Sequence, residues 1–153
     1  MAMVAHSSAA YLAMSAWCHD QGLIETGEYF KIQSNEEREH QLKIYDFLIE
    51  TGARAISPEV KNVKNDFENL KEILELALNM EISITESFNK ITDTCFKNKD
   101  YQTIKFLEWF LAEQIEEEDN ARRAIEIYEL IGTELDGLFK IDHQIGKLLK
   151  PKA

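Results

Sequence analysis

Only two prolines and six glycines punctuate the 153 residues, and no β pattern competes with the long stretches of 3.6-residue period. A sheet-rich fold, which needs turn residues at short intervals, is therefore excluded. Cysteine is equally sparse. Cys18 and Cys95 fall on helical patterns with no metal-type spacing between them, so they read as small packing residues in preference to a disulfide. Long apolar runs are missing too: the longest, AAYLAMSAWC, is far short of the roughly 20 residues that cross a bilayer, so no membrane partner is expected. Basic residues are outnumbered, with 17 Lys and Arg against 28 Asp and Glu and a net charge of -11. Such a surface repels nucleic acid and anionic lipid and concentrates cations, which makes metal ions better candidate partners than phosphates. The first basic residue apart from histidine is Lys31, so a signal peptide is not expected and a reducing cytoplasm is the expected location.

What is present is helix. The chain is long enough for one domain, 1–153, with a real core. Hydrophobic period and stop signals predict helices over about residues 4–21, 25–51, 66–97, 101–131 and 138–149. The long connection at about residues 52–65 carries Pro58, and Asn65 with Glu68 offers a capping box for the third helix. Two short connections flanking one long one describe two antiparallel pairs joined by a crossover, an all-α four-helix bundle with a short fifth helix. That last helix, with Leu138, Ile141, Ile145, Leu148 and Leu149 on one side, is too short to stand alone and needs a partner surface.

A bundle buries positions spaced alternately three and four apart. On the third helix this stripe reads Leu70, Leu74, Ala77, Glu81, Ile84, Phe88, Ile91, Cys95. The second reads Phe30, Gln33, Glu37, His40, Ile44, Phe47, and the fourth Leu107, Phe110, Gln114, Glu117, Ala121, Ala124, Tyr128. All three break at mid-length with a carboxylate. An isolated buried carboxylate costs several kcal/mol unless an opposite charge sits beside it, and these seams hold no Lys or Arg. A divalent cation satisfies them together: Glu37 bridging, His40 and Glu81 terminal, Glu117 completing the cluster. Oxygen donors with one imidazole suit iron or manganese, and zinc less selectively. A lone E-x-x-H on a charged helix is usually a solvated face; three interruptions at comparable depth are not. Glu36, Glu113 and Glu116 lie just off the seams and form either a solvated flank or a weaker accessory site. His6, His19 and His143 fall off the seams and read as surface residues.

Several motifs together resemble the non-haem bacterial ferritins: SSAAY and MSAWC on the first helix, EEREH on the second, Glu81 on the third, FLEWFLAEQIEEE on the fourth and GLFKIDHQIGKLL on the last. The resemblance covers essentially the whole chain. It implies a ferritin-like bundle, one subunit of a hollow homo-oligomeric shell of twenty-four copies, which oxidises Fe(II) with dioxygen or peroxide at an intrasubunit di-iron ferroxidase centre and stores Fe(III) mineral. By position it makes Glu37 the bridging carboxylate, His40 a ligand of the first iron, and Glu81 and Glu117 ligands of the second. Glu36, Glu113, Glu116 and Glu117 match the family's third iron site, Gln114 sits beside the oxidant, and Tyr11 is the tyrosine close to the centre. Trp109 matches an aromatic position of the family or is simply a packing residue. Arg38 replaces the methionine with which bacterioferritins hold haem, so haem is not expected. In the last helix the resemblance implies packing against symmetry mates around a channel.

One departure concerns the first helix. Where the family carries a glutamate seven residues before the tyrosine, this chain has Val4, and ferritins usually begin several helical turns earlier. The first iron then keeps Glu37 and His40 but lacks a third protein ligand, so weaker binding and slower oxidation are expected. Alternative expectations are a cage-forming or iron-binding scaffold without efficient catalysis, and a bundle for protein recognition with no metal.

Overall fold

The computed structural model describes residues 1–134 and 136–148. Its order is α1 (Ala2–Asp20), α2 (Ile24–Glu50), α3 (Leu70–Asn98), α4 (Tyr101–Ile131) and α5 (Gly137–Gly146), with no strand among the described residues. Leu149 and the stop expected at Pro151 lie outside the described residues. None of the described helices is long and apolar enough to cross a membrane. The turn through Gly22 (φ 77°) folds α2 back on α1, and the break at Lys99 and Asp100 folds α4 back on α3. Each pair packs along its length, and the segment from Thr51 to Asn69 carries the chain between the pairs. Phe67 fixes the end of that crossover: it is buried and meets Trp17 edge-on.

The third helix begins later than the expected capping box at Asn65 and Glu68. Asn69 is its N-cap, its side chain accepting from the Glu72 backbone N–H at 3.0 Å, while Glu72 accepts from the Glu68 N–H at 2.8 Å. Asn65 instead donates to the Val63 carbonyl. The reason is Phe67: seating its ring under Trp17 holds the backbone out of the helix until the next cap-and-acid pair.

The core falls into two apolar lobes. One gathers Tyr11, Met14, Cys18, Phe30, Ile73 and Leu74 with Ile141 and Ile145; the other gathers Ile84, Phe88, Cys95, Leu107 and Phe110. Both cysteines are free and buried. Between the lobes α2, α3 and α4 each pass a polar turn. α1 has 19 residues and the other three have 27 to 31. Beside Val4 an apolar cavity of about 390 Å³ opens, lined in part by Ile44, Phe47, Ile91 and Phe106. Ile91, placed on the core stripe by its spacing, lines this cavity and is 44% exposed.

The fifth helix finds a partner surface within its own subunit: Ile141 and Ile145 are fully buried against the first lobe, and α5 contacts α2 and α4. Leu138 and Phe139 on the same helix stay exposed. A tight turn delivers it there. A Cβ on Gly137 would lie 2.0 Å from the Gly132 carbonyl oxygen, a backbone atom that only a shift of the whole turn can move. Gly137→Ala is expected to lower the unfolding free energy by about 1–3 kcal/mol, measured by urea titration.

Candidate metal centre

Helical spacing places the polar side chains in one layer. Glu37 and His40 stand three apart on α2, Gln114 and Glu117 three apart on α4, and Glu81 enters from α3 with Tyr11 opposite on α1. All six are buried, Glu81 to 1% exposure and Glu37 to 2%. Glu81 is held on two sides: the Tyr11 hydroxyl donates a short hydrogen bond to Oε1, and Gln114 Nε2 lies 3.1 Å from Oε2 and 3.2 Å from the Glu81 carbonyl oxygen. The same Gln114 amide is 3.3 Å from the Thr85 hydroxyl. His40 Nδ1 lies 3.5 Å from Glu37 Oε1, and the His40 ring meets Trp109 and Phe110 edge-on at 5.4 and 5.9 Å. The other oxygen of Glu37 and Oε2 of Glu117 are buried without any hydrogen-bond partner.

Such crowding disfavours ionisation. Burial, then the charge of Glu37, pushes Glu81 up to about 7 against the bonds from Tyr11 and Gln114. Burial, then Glu81, Glu36, Glu37 and Glu113, pushes Glu117 up to about 9. Burial also holds the Tyr11 phenol well above its ordinary value, with Glu81 reinforcing it. For His40 burial opposes the imidazolium, but the hydrogen bond and charge of Glu37, with Glu113 and Glu81, outweigh it and raise the ring's basicity. Among the described residues no lysine or arginine pairs with Glu37, Glu81 or Glu117. Two orphaned carboxylate oxygens beside an imidazole are the donor set of a divalent cation, so the residues present fit bound iron.

The off-seam acids separate. Glu113 is half-buried and joins the layer: one ligand atom from each of His40, Glu113 and Glu117 lies within 4.8 Å of the others, the single such group of three among the described residues. Glu36 is half-buried and accepts from Gln33 Nε2 at 2.6 Å, close enough to act on Glu117. Glu116 is exposed and lies outside the group of three. Trp109 is 38% exposed and serves as a platform, with His40 on its edge and the Lys43 ammonium 3.7 Å from its ring centre. Arg38 is exposed, donating to Gln41 at 2.7 Å. Val4, 2% exposed, gives α1 an alkyl group one heptad before Tyr11. Two residues escaped the sequence reading. Tyr29 is buried beside Glu117, Glu81 and Glu36, and Thr85 links Gln114 to Glu118. The spacing Tyr29, Gln33, Glu36 was the available signal for the first; nothing in the sequence marks the second.

A family profile described as "Ferritin-like domain" matches residues 1–131. A "Probable bacterial non-heme ferritin-like protein" of Haemophilus influenzae is 34% identical over 94% of this chain and 87% of its own length. A "Bacterial non-heme ferritin" of Campylobacter jejuni is 34% identical over 88% of this chain and 81% of its own. Among solved structures, "Chlorobium tepidum Ferritin" superposes with a TM-score of 0.84 and 38% identity, covering 95% of this chain and 90% of that one. With the bundle, its crossover and its buried acid–imidazole layer already in view, these matches establish that the chain belongs to the ferritin-like family, among the relatives of the bacterial non-haem ferritins.

Proposed function

We propose that this protein is an iron storage subunit that takes Fe(II) as substrate at the mid-bundle layer, oxidises it there, and assembles with further copies into a shell, twenty-four in the family's arrangement, that holds Fe(III) as mineral. The observation that carries this reading is the pair of buried, unpartnered oxygens on Glu37 and Glu117 beside Glu81 and His40. Glu37 would bridge two ions, His40 would serve one, and Glu81 and Glu117 would serve the other. Two ions held together deliver one electron each to dioxygen or peroxide, which a single iron does not do. Carboxylates favour the harder Fe(III) product. The Tyr11 and Gln114 bonds aim Glu81 into the layer, and the ring contacts of Trp109 and Phe110 fix the plane of His40. Glu36, Glu113 and Glu116 form an acidic flank on α2 and α4 along which Fe(III) leaves.

Stopped-flow mixing of Fe(II) and dioxygen with the protein tests the reading. The protein is expected to oxidise Fe(II) more than about tenfold faster than Glu37→Ala, since removing a ligand exceeds the 10–100-fold loss typical of ligand supports. Val4 favours a second reading, a scaffold that binds iron without efficient oxidation, because α1 presents an alkyl group where the family has a carboxylate. Equal rates in the two proteins would establish the scaffold, and native mass measurement reads the assembly separately.

A further inference from the structure

We infer that Thr85 is a positioning residue of the polar layer: anchored by Glu118 and Arg122, its hydroxyl locks the Gln114 amide with the nitrogen toward Glu81, and Gln114 in turn fixes Glu81 for a metal ion. The inference deepens the reading of the layer as a metal centre and rests on it.

The register of two facing helices builds the chain of bonds. Glu81 and Thr85 stand four apart on α3, and Gln114, Glu118 and Arg122 follow one another at the same spacing on α4, so each set lines one helix face. Gln114 Nε2 lies 3.1 Å from Glu81 Oε2, 3.2 Å from the Glu81 carbonyl oxygen and 3.3 Å from Thr85 Oγ1. The Thr85 hydroxyl donates to Glu118 Oε1 at 2.7 Å, and Arg122 donates to Glu118 Oε2 at 2.8 Å. The Glu118 side chain is 19% exposed and that of Arg122 48%, so the chain runs from the core to the surface.

A hydroxyl inside a helix commonly turns back to the carbonyl four residues earlier. Ser83, Thr92 and Thr94 on α3 all do so. Thr85 instead sends its proton across to α4, and the carbonyl it would have used, that of Glu81, is taken by Gln114. This departure fixes the amide by elimination. A carboxylate paired with a guanidinium only accepts, so the single Thr85 proton is committed to Glu118 and only lone pairs face Gln114. The Gln114 atom that meets those lone pairs and both Glu81 acceptors must therefore be the nitrogen. Reversed, the amide oxygen would confront three acceptors, and Thr85 could meet it only by giving up Glu118. With Tyr11 donating to Oε1 and the locked amide to Oε2, Glu81 is held from both sides, and one of the two holds originates in an ion pair at the surface.

Co(II), which does not oxidise during the measurement, reads the consequence. The equivalent to follow is the one that Glu81→Gln weakens in a calorimetric and visible-absorption titration of the metal-free protein. Thr85→Val, which keeps the shape and removes the hydroxyl, is expected to weaken that equivalent by about tenfold. Thr85→Ser should keep it within about twofold of the parent, and Thr85→Val should change it less than about twofold when Gln114 is already alanine. A threonine that only packs would cost the same in both backgrounds, so equal losses overturn the inference, as does parental affinity in Thr85→Val. A neutron crystal structure of the deuterated, metal-free parent needs no variant to fold. Deuterium is expected on the Gln114 atom facing Glu81 and on the Thr85 hydroxyl toward Glu118. An amide oxygen facing Glu81 overturns the inference, while a lost equivalent in Glu81→Gln leaves the metal centre standing. If Glu81→Gln loses no equivalent, the metal reading falls and the positioning role falls with it.

Discussion

Glu117→Gln is expected to stabilise the metal-free protein at pH 8 by several kcal/mol while removing a proposed metal ligand. Glu117 titrates at about 9 in the folded chain against an ordinary value of 4.5. Between those two values the folded state keeps a proton that the unfolded state has released. Stability is therefore highest at and below the ordinary carboxylate range and falls as pH rises, by about 1.4 kcal/mol per pH unit for each such proton. It levels off only above the folded value. Glu81, at about 7, adds the same slope over a narrower window that closes near neutrality. A neutral amide at position 117 removes the steeper and longer contribution, so the variant's curve should flatten between neutrality and pH 9. Urea denaturation in the presence of a chelator across this range reads the difference. Adding Zn(II) should reverse the ranking, because the ion stabilises the parent more than the variant. A variant with the same slope as the parent and no gain at pH 8 would show that the layer is not held under electrostatic pressure.

Asp142→Ala is expected to destabilise the fold by about 2–4 kcal/mol, the second large effect and one remote from the centre. α2 starts at Ile24 with no side-chain cap of its own. Its cap comes from α5: Asp142 Oδ1 accepts from the Thr26 N–H at 2.7 Å and Oδ2 from the Glu25 N–H at 3.2 Å. Thr26 is completely buried, so alanine at position 142 leaves its N–H without water to replace the lost bond. The carboxylate also faces the positive end of the α2 dipole. His143 adds a contact to Glu25 at 2.9 Å, but both are about half exposed and contribute little. Asp142→Asn, which keeps one accepting oxygen, should lose markedly less. Urea unfolding of the two variants checks both the size and the ranking. A loss below about 0.5 kcal/mol in Asp142→Ala would mean that Ile141 and Ile145 alone hold the fifth helix down.

The architecture was legible because helix seams carry a period, and the buried polar layer because it broke that period. Glu81 stood in a line of Leu, Ala, Ile and Phe, and Glu37, His40 and Glu117 interrupted their own lines at matching depth. All are buried at that level. What the spacing did not carry were relations across helices. The late start of α3 depends on Phe67 meeting a tryptophan from α1. The burial of α5 depends on an aspartate capping a helix far away in sequence. Ile91 sits correctly on its stripe and is still exposed, because it lines a cavity between helices. The flank showed the same limit: Glu36, Glu113 and Glu116 are alike in sequence, and only Glu113 has its ligand atom within reach of His40 and Glu117.

The two apolar lobes have a mechanical consequence. A polar seam with unsatisfied oxygens is the weakest plane through a core otherwise closed by close packing, so each lobe can loosen with limited penalty to the other. The lobe beside the apolar cavity lined by Ile44, Phe47 and Ile91 is the one to loosen first. A cation seated in the seam would draw on α2, α3 and α4 at once and rivet the halves into a single cooperative unit, so that occupancy at the middle of the bundle would set the rigidity of its ends.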